Sequence, residues 1–168
     1  MSIMLEEVIT PGSPKAFSVG QRTEATTIAN LDPIYSLLLE TPVTASVATI
    51  SANGTPQLTP NWCEHNGIYV FLNSVLGRLK DRNLRARPDV TIMLVNPQNP
   101  YHWMTIYGQV AEIIEETDPK RGHEATESID RLAKKYLNTT PYPMRAEGGE
   151  VRVLYKVRPL RIQTFGKP

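Results

Sequence analysis

Apolar and polar positions change their period several times along this chain of 168 residues, and each change marks an element. Asp32-Pro33 reads as a helix start, because a side-chain carboxylate accepts an unpaired amide hydrogen and proline tolerates the first helical position. Ile34, Leu37 and Leu38 then share one helical face. From Val43 the period shortens. Thr44 to Ser51 is rich in Val, Thr, Ile and Ala, Asn53-Gly54 suits a tight turn, and a second extended run continues from Thr55 to His65. Asn66-Gly67 repeats the turn signal before Ile68 to Leu72, so three antiparallel strands in a meander are expected.

Residues 77–88, GRLKDRNLRARP, interrupt the β pattern with a basic, leucine-bearing stretch that ends at a proline, and predict a short helix. Val90 to Val95 and Trp103 to Ile114 form the fourth and fifth extended runs. Asp118-Pro119 is the expected cap of another helix, in which Ile129, Leu132, Ala133 and Tyr136 recur at helical spacing. Val151 to Val157 and Leu160 to Phe165 supply two closing strands. Six or seven antiparallel strands with a few short flanking helices predict a mainly β fold closed into a barrel, which removes exposed strand edges. Residues 1–30, with Pro11, Gly12, Pro14 and Gly20 and no sustained period, predict an extended N-terminal arm; residues 31–168 are the barrel domain.

Composition narrows the class. Hydrophobic residues make up 40% and charged residues 21%, which suits one soluble core and excludes wholesale disorder. Net charge is only +1, so neither nucleic acid nor a membrane is an expected partner. A single cysteine, Cys63, rules out an internal disulfide framework, and no apolar run approaches the ~18 residues of a membrane span. With Glu6 and Glu7 near the start instead of an apolar leader, the chain is expected to be cytoplasmic.

Against this neutral background one segment stands out. Arg78, Lys80, Arg82, Arg85 and Arg87 face only Asp81, a local charge of +4. Arg78, Arg82 and Arg85 share a helical face, with Arg78 and Lys80 at the amino end, where unpaired amides and the helix dipole already favour an anion. Guanidinium forks and an ammonium charge would complete a phosphate site; the plainer reading is a solvated basic helix face.

The run from Thr44 to Val95 contains the Asn53-Gly54 hairpin, the strand Pro56-Gln57-Leu58-Thr59-Pro60-Asn61-Trp62 and the stretch GRLKDRN. It resembles the flavin and deazaflavin oxidoreductases of the pyridoxamine 5′-phosphate oxidase-like split β-barrel superfamily. Asn99-Pro100-Tyr101-His102-Trp103, Ile106-Tyr107-Gly108-Gln109-Val110 and Val157-Arg158-Pro159-Leu160-Arg161-Ile162 extend the resemblance over residues 32–166. It implies a homodimer with two cofactor sites at its interface. Arg78, Lys80 and Asn83 match positions that hold the cofactor phosphate; Arg82 matches more weakly, and Asp81 departs from the pattern. Gln57, Thr59, Pro60, Asn61 and Trp62 match the strand along the tricyclic ring, and Asn73 and Ser74 the next strand end. Tyr101, His102 and Trp103 follow two prolines in a loop and are expected to line the substrate face contributed by the partner subunit, with a loop anchor as the plainer alternative.

The spacing R-x-K-x-R-N is closer to the branch that uses the deazaflavin coenzyme F420 than to the branch that uses FMN. The resemblance therefore implies hydride transfer between reduced F420 and a conjugated organic acceptor, with the FMN enzyme as the alternative. Arg85 and Arg87 are candidates to attract the acidic F420 tail. His102 is a candidate proton donor, although a lone histidine beside aromatics is more often structural. By composition Trp62 reads as a core residue, whereas the resemblance makes it a ring contact. Cys63 reads as a small buried residue, and His65 and His123 receive no role. No hydrolase nucleophile motif or Walker loop is present. No second clear set of basic residues near the C-terminus is arranged for a phosphorylated substrate, which argues against pyridoxamine phosphate oxidation, although Arg158 and Arg161 leave that point open. A cofactor carrier without turnover and, last, an RNA-binding barrel lacking an aromatic platform are the rival classes.

Overall fold

The structure, a computed structural model, describes residues 24–25, 27–145 and 149–168. Its elements in chain order are β1 (Glu24–Ala25), α1 (Pro33–Glu40), β2 (Ala45–Ile50), β3 (Pro56–Asn61), β4 (Cys63–His65) and β5 (Val70–Val75). They continue with α2 (Leu79–Ala86), β6 (Asp89–Val95), β7 (Trp103–Glu115), α3 (Gly122–Leu137) and β8 (Arg152–Phe165). Most of the expected arm, 1–23 and 26, lies outside the described residues; its end is built into the domain, since β1 pairs with β8 and Ile28 is buried in the core.

The turn chemistry works as the sequence predicts. Gly54 (φ +83°) closes the β2–β3 hairpin and Gly67 (φ +87°) the β4–β5 hairpin. Asp32 accepts the Ile34 amide hydrogen at 3.0 Å and starts α1. The strand order is β3-β2-β6-β7-β8-β5-β4, with each neighbouring pair antiparallel. The expected opening meander is therefore corrected. The run from 55 to 65 breaks at Trp62, and its halves, β3 and β4, occupy opposite ends of the sheet. One residue spans only about 3.5 Å, so the sheet must curl until its two ends meet at Trp62, which makes the barrel.

The two expected closing strands are one 14-residue strand, β8. Pro159 has no amide hydrogen to give a ladder, but it sits opposite Gly108 where the β7–β8 register shifts, a position that tolerates it. Gly108 is required there, because a Cβ would lie 2.7 Å from the Arg158 carbonyl oxygen. The expected start of the second long helix also moves: α3 begins at Gly122, while the Asp118 carboxylate accepts the amide hydrogens of Lys120 and Arg121 in the turn before it.

Inward-facing side chains alternate along the strands. Ala45 and Val47, Ile92 and Leu94, Met104 and Ile106, and Tyr155 and Val157 are all fully buried. Tyr35, Leu38 and Leu39 of α1 pack into the same core, and the Tyr35 hydroxyl donates to the Gly166 carbonyl at 2.7 Å. On α3 the apolar stripe Ile129, Leu132 and Ala133 is buried as its spacing requires.

Candidate functional site

Residues that pair directly across a ladder share a face of the sheet. Asn61 lies opposite Ala45, Thr59 opposite Val47 and Gln57 opposite Thr49. Since Ala45, Val47 and Thr49 point into the core, so do Gln57, Thr59 and Asn61. The other face of β3 carries Pro56, Leu58 and Pro60, and Leu58 is 68% exposed. This strand is inverted, with polar side chains inward and apolar ones outward.

Helix α2 lies against the polar face. Asn83 donates from Nδ2 to Thr49 Oγ1 at 3.0 Å and to Gln57 Oε1 at 3.1 Å, which braces the helix on the β2–β3 hairpin. One turn earlier, Lys80 Nζ donates to Asn61 Oδ1 at 2.5 Å. Lys80 is only 7% exposed, and among the described residues no carboxylate pairs with it. Burial first, and the neighbouring Arg78 charge second, push its pKa down from 10.5 to about 8. Thr59 Oγ1, between Gln57 and Asn61, is buried without a partner among the described residues.

The other charges of the segment divide. Arg78 is exposed and reaches Glu150 at 3.0 Å; Arg82 donates to the Gly77 carbonyl at 2.6 Å. Arg85 is spent on Asp81 and Glu115, both at 2.8 Å, and Arg87 reaches the Ala52 carbonyl at 3.3 Å. Asp81, the departure from the family pattern, does not oppose Lys80 through an ion pair. It accepts hydrogen bonds from the Tyr155 hydroxyl (2.6 Å), the Gly77 amide (2.8 Å) and Arg85. Burial would raise its pKa, but these three donors together hold the carboxyl below its ordinary value.

Beside Asn61 opens a cleft of about 260 Å³, walled by Pro60, Trp62, Asn73, Tyr142, Met144 and Arg152, with Ile129 and Leu132 of α3 behind. The Trp62 ring stacks on Tyr136 at 5.1 Å and meets the edge of Tyr142 at 6.1 Å, so both readings of this residue have a basis: it is packed on α3 and it lines a cleft. Asn73 Nδ2 donates to the Ala125 carbonyl at 2.9 Å, and Oδ1 is buried without a partner among the described residues. Ser74 is buried beside it.

Of the expected residues, Gln57, Thr59 and Asn61 lie on the polar face of β3 under α2, where Asn83 and Lys80 reach Gln57 and Asn61, and Pro60, Asn61, Trp62 and Asn73 line the cleft. Within one chain Tyr101, His102 and Trp103 lie outside this cleft. His102 is 1% exposed, beside the Tyr35 ring at 5.4 Å. Its Nδ1 faces Asn96 Nδ2 at 3.1 Å; because Asn96 Oδ1 accepts from the Gln98 amide, Nδ1 is the acceptor. Burial pushes its pKa down, partly offset by the Ile34 backbone, so the ring is neutral and poorly placed to donate a proton. Trp103 stacks on Phe165 at 5.4 Å, and Tyr101 is exposed. The sequence does not single out Thr49, Tyr142 or Arg152; the fold brings Thr49 to Asn83, Tyr142 to Trp62 and Arg152 to Tyr142.

Cys63 is buried and its thiol is pushed up by burial. Among the described residues no group of three His, Cys, Asp or Glu could hold a metal ion, and no helix is long and apolar enough to cross a membrane.

Comparison with solved structures places this geometry. The chain is similar to an F420 reductase at 29% identity, with 79% of this chain and 98% of that one covered and a TM-score of 0.66. An FAD-binding protein from Mesorhizobium loti (16% identity, 80% and 94% covered, TM-score 0.56) shares the fold. So does the heme storage protein from Vibrio cholerae (15%, 79% and 92%, TM-score 0.57). No curated protein matches the chain. Residues 31–165 match the family model for pyridoxamine 5′-phosphate oxidase, which covers the whole barrel from α1 to the end of β8, and the chain belongs to that family.

Proposed function

We propose that this protein is a reductase that binds the deazaflavin coenzyme F420 at the α2–β3 site and passes a hydride to a conjugated organic acceptor in the Trp62 cleft. The observation that carries the reading is Lys80, a buried ammonium at a helix amino end whose one hydrogen-bond partner among the described residues is a neutral amide. A buried cation without a counter-charge is costly, and a cofactor phosphate would supply the missing charge. The residues fit such a cofactor, since Thr59 Oγ1, in the expected ring-binding set, is a buried polar atom without a partner among the described residues. Similarity to an F420 reductase supports the deazaflavin over FMN.

When bound, the reduced deazaflavin supplies the hydride. The chain's own part is to bind and orient. Lys80 and exposed Arg78 neutralise the phosphate, Asn83 fixes α2 against β2 and β3, and Trp62 offers a flat apolar wall held in place by Tyr136. No side chain need act as a nucleophile, and solvent serves as the proton source in place of neutral, buried His102. The outward face of β3, with Leu58 bare, is where a second copy of the chain would complete the site.

Titrating purified protein with F420 and with FMN tests the reading. Spectral saturation by F420, and oxidation of its reduced form only when an unsaturated acceptor is added, are expected. Tighter binding of FMN would overturn the cofactor assignment, and binding without turnover of any acceptor would make the protein a carrier. Sedimentation should show a dimer that Leu58→Lys splits; a monomeric wild type would remove the shared site.

A further inference from the structure

The cleft beside Trp62 has a polar end made by a residue that no sequence motif marks. Arg152, the first residue of β8, is only 6% exposed, and its guanidinium lies under the Tyr142 ring at 4.5 Å from the centroid. Among the described residues, Glu150 Oε2 at 3.7 Å is its carboxylate neighbour, which is beyond hydrogen-bond distance. The other Glu150 oxygen is held by Arg78 at 3.0 Å. A guanidinium has five N–H donors in a planar fork, and among the described residues no side-chain acceptor lies within hydrogen-bond distance of those of Arg152. Asn73 Oδ1, in the wall of the same cleft, is a buried acceptor whose orientation is locked by the bond from its own amide to Ala125. Apolar surface from Pro60, Trp62, Ile129, Leu132 and Met144 fills the space between.

We infer that this cleft selects a compact planar compound bearing a carboxylate, with Arg152 as its specificity-determining residue and Glu150 as a resident competitor for the two arginines. The carboxylate takes the fork of Arg152, where bidentate pairing is strongest. A donor on the ligand meets Asn73 Oδ1, and the ring lies against Trp62 and Tyr142. A volume of about 260 Å³ is at the small end of ligand pockets, so it suits a compact ring system. Identifying the occupant as the hydride acceptor rests on the function proposed above; the preference for a carboxylate does not.

The test uses cofactor-free full-length protein and two probes of nearly the same shape, naphthoate and naphthamide, measured by calorimetry. Wild type should bind naphthoate about tenfold more tightly, the value of one charge-assisted bond. Arg152→Gln should erase the difference. Glu150→Gln, a change at a partly exposed side chain, should tighten naphthoate several-fold and leave naphthamide unchanged, a result that a merely structural Arg152 would not produce. In a Trp103→Phe background the one remaining indole N–H signal, that of Trp62, should shift on naphthoate binding in magnetic resonance spectra. Equal affinities in wild type, discrimination that survives Arg152→Gln, no gain in Glu150→Gln, or an unmoved Trp62 signal would each overturn the inference. If F420 fails to bind while the naphthoate preference stands, the cofactor reading falls and the cleft assignment remains; the reverse outcome sinks the cleft alone.

Discussion

Replacing Lys80 with methionine should make the protein more stable and less able to bind its cofactor. The fall of the Lys80 pKa from 10.5 to about 8 means that keeping the amine charged costs the folded state about 3 kcal/mol relative to the unfolded chain. Methionine has a similar length and no charge. Losing the contact to Asn61 gives back about 1 kcal/mol, so a net gain of about 2 kcal/mol at pH 7 is expected in urea unfolding. The sign with pH follows from the direction of the shift. The unfolded chain keeps the Lys80 proton up to pH 10.5 and the folded chain only to about 8, so wild-type stability climbs between those values and the advantage of Lys80→Met fades. Cofactor affinity should move the other way, weakening by about 10- to 100-fold as a charge-assisted phosphate bond is lost. Calorimetry at pH 8 adds a third reading: anion binding pulls the Lys80 pKa back up, so wild type takes up about half a proton and Lys80→Met none. A variant less stable than wild type would show that Lys80 already has a counter-charge, and the anion-site reasoning would fail.

Other predictions bear on what holds the site. Asn83→Ala removes the donor shared by Thr49 and Gln57 and should cost about 1–3 kcal/mol in urea unfolding, with weaker cofactor binding; an unchanged midpoint would mean that α2 is not braced this way. Asp81→Asn weakens the hub joining Gly77, Arg85 and Tyr155. Because the folded-state pKa of Asp81 lies below 3.8, its contribution is present above that value and lost as pH falls through the lower folded pKa, so the variant should flatten the acid limb of the stability curve. Gly122→Ala would place a Cβ 2.1 Å from the Glu116 carbonyl oxygen and should lower the melting temperature by several degrees, at a cost of about 1–3 kcal/mol, through the α3 wall of the cleft. Cys63 should resist thiol reagents until the protein unfolds; rapid labelling of the native protein would contradict its burial.

What the sequence made legible was local. Asn53-Gly54 and Asn66-Gly67 announce their hairpins because a positive φ leaves few residue choices, and the α3 stripe follows from helical spacing alone. What it hid depends on pairing between distant segments. The break at Trp62 is invisible in a run whose alternation continues from Thr55 to His65, since only the sheet order shows that its halves serve opposite ends. Pro159 reads as a gap between strands until Gly108 is placed opposite it. The sequence marks Lys80 as a phosphate candidate but not its burial, and Arg152 reads like any strand residue, until Asn61 and Tyr142 are brought against them.

Strand β3 shows why the site and the limits of sequence reading coincide. Its alternation, Pro-Gln-Leu-Thr-Pro-Asn, is plain, but alternation alone does not say which face is the core. The usual rule would turn Leu58 inward and Gln57, Thr59 and Asn61 outward; the register with β2 imposes the reverse. That inversion leaves an apolar face bare on one side and a row of polar groups under Lys80 and Asn83 on the other, each a departure from the ordinary pattern that lowers stability in isolation. Both departures are relieved at once if a second chain covers Leu58 and an anion reaches Lys80. A change that restores the ordinary pattern, such as Leu58→Thr with Thr59→Val, should therefore leave a well-folded barrel that neither pairs nor binds the cofactor.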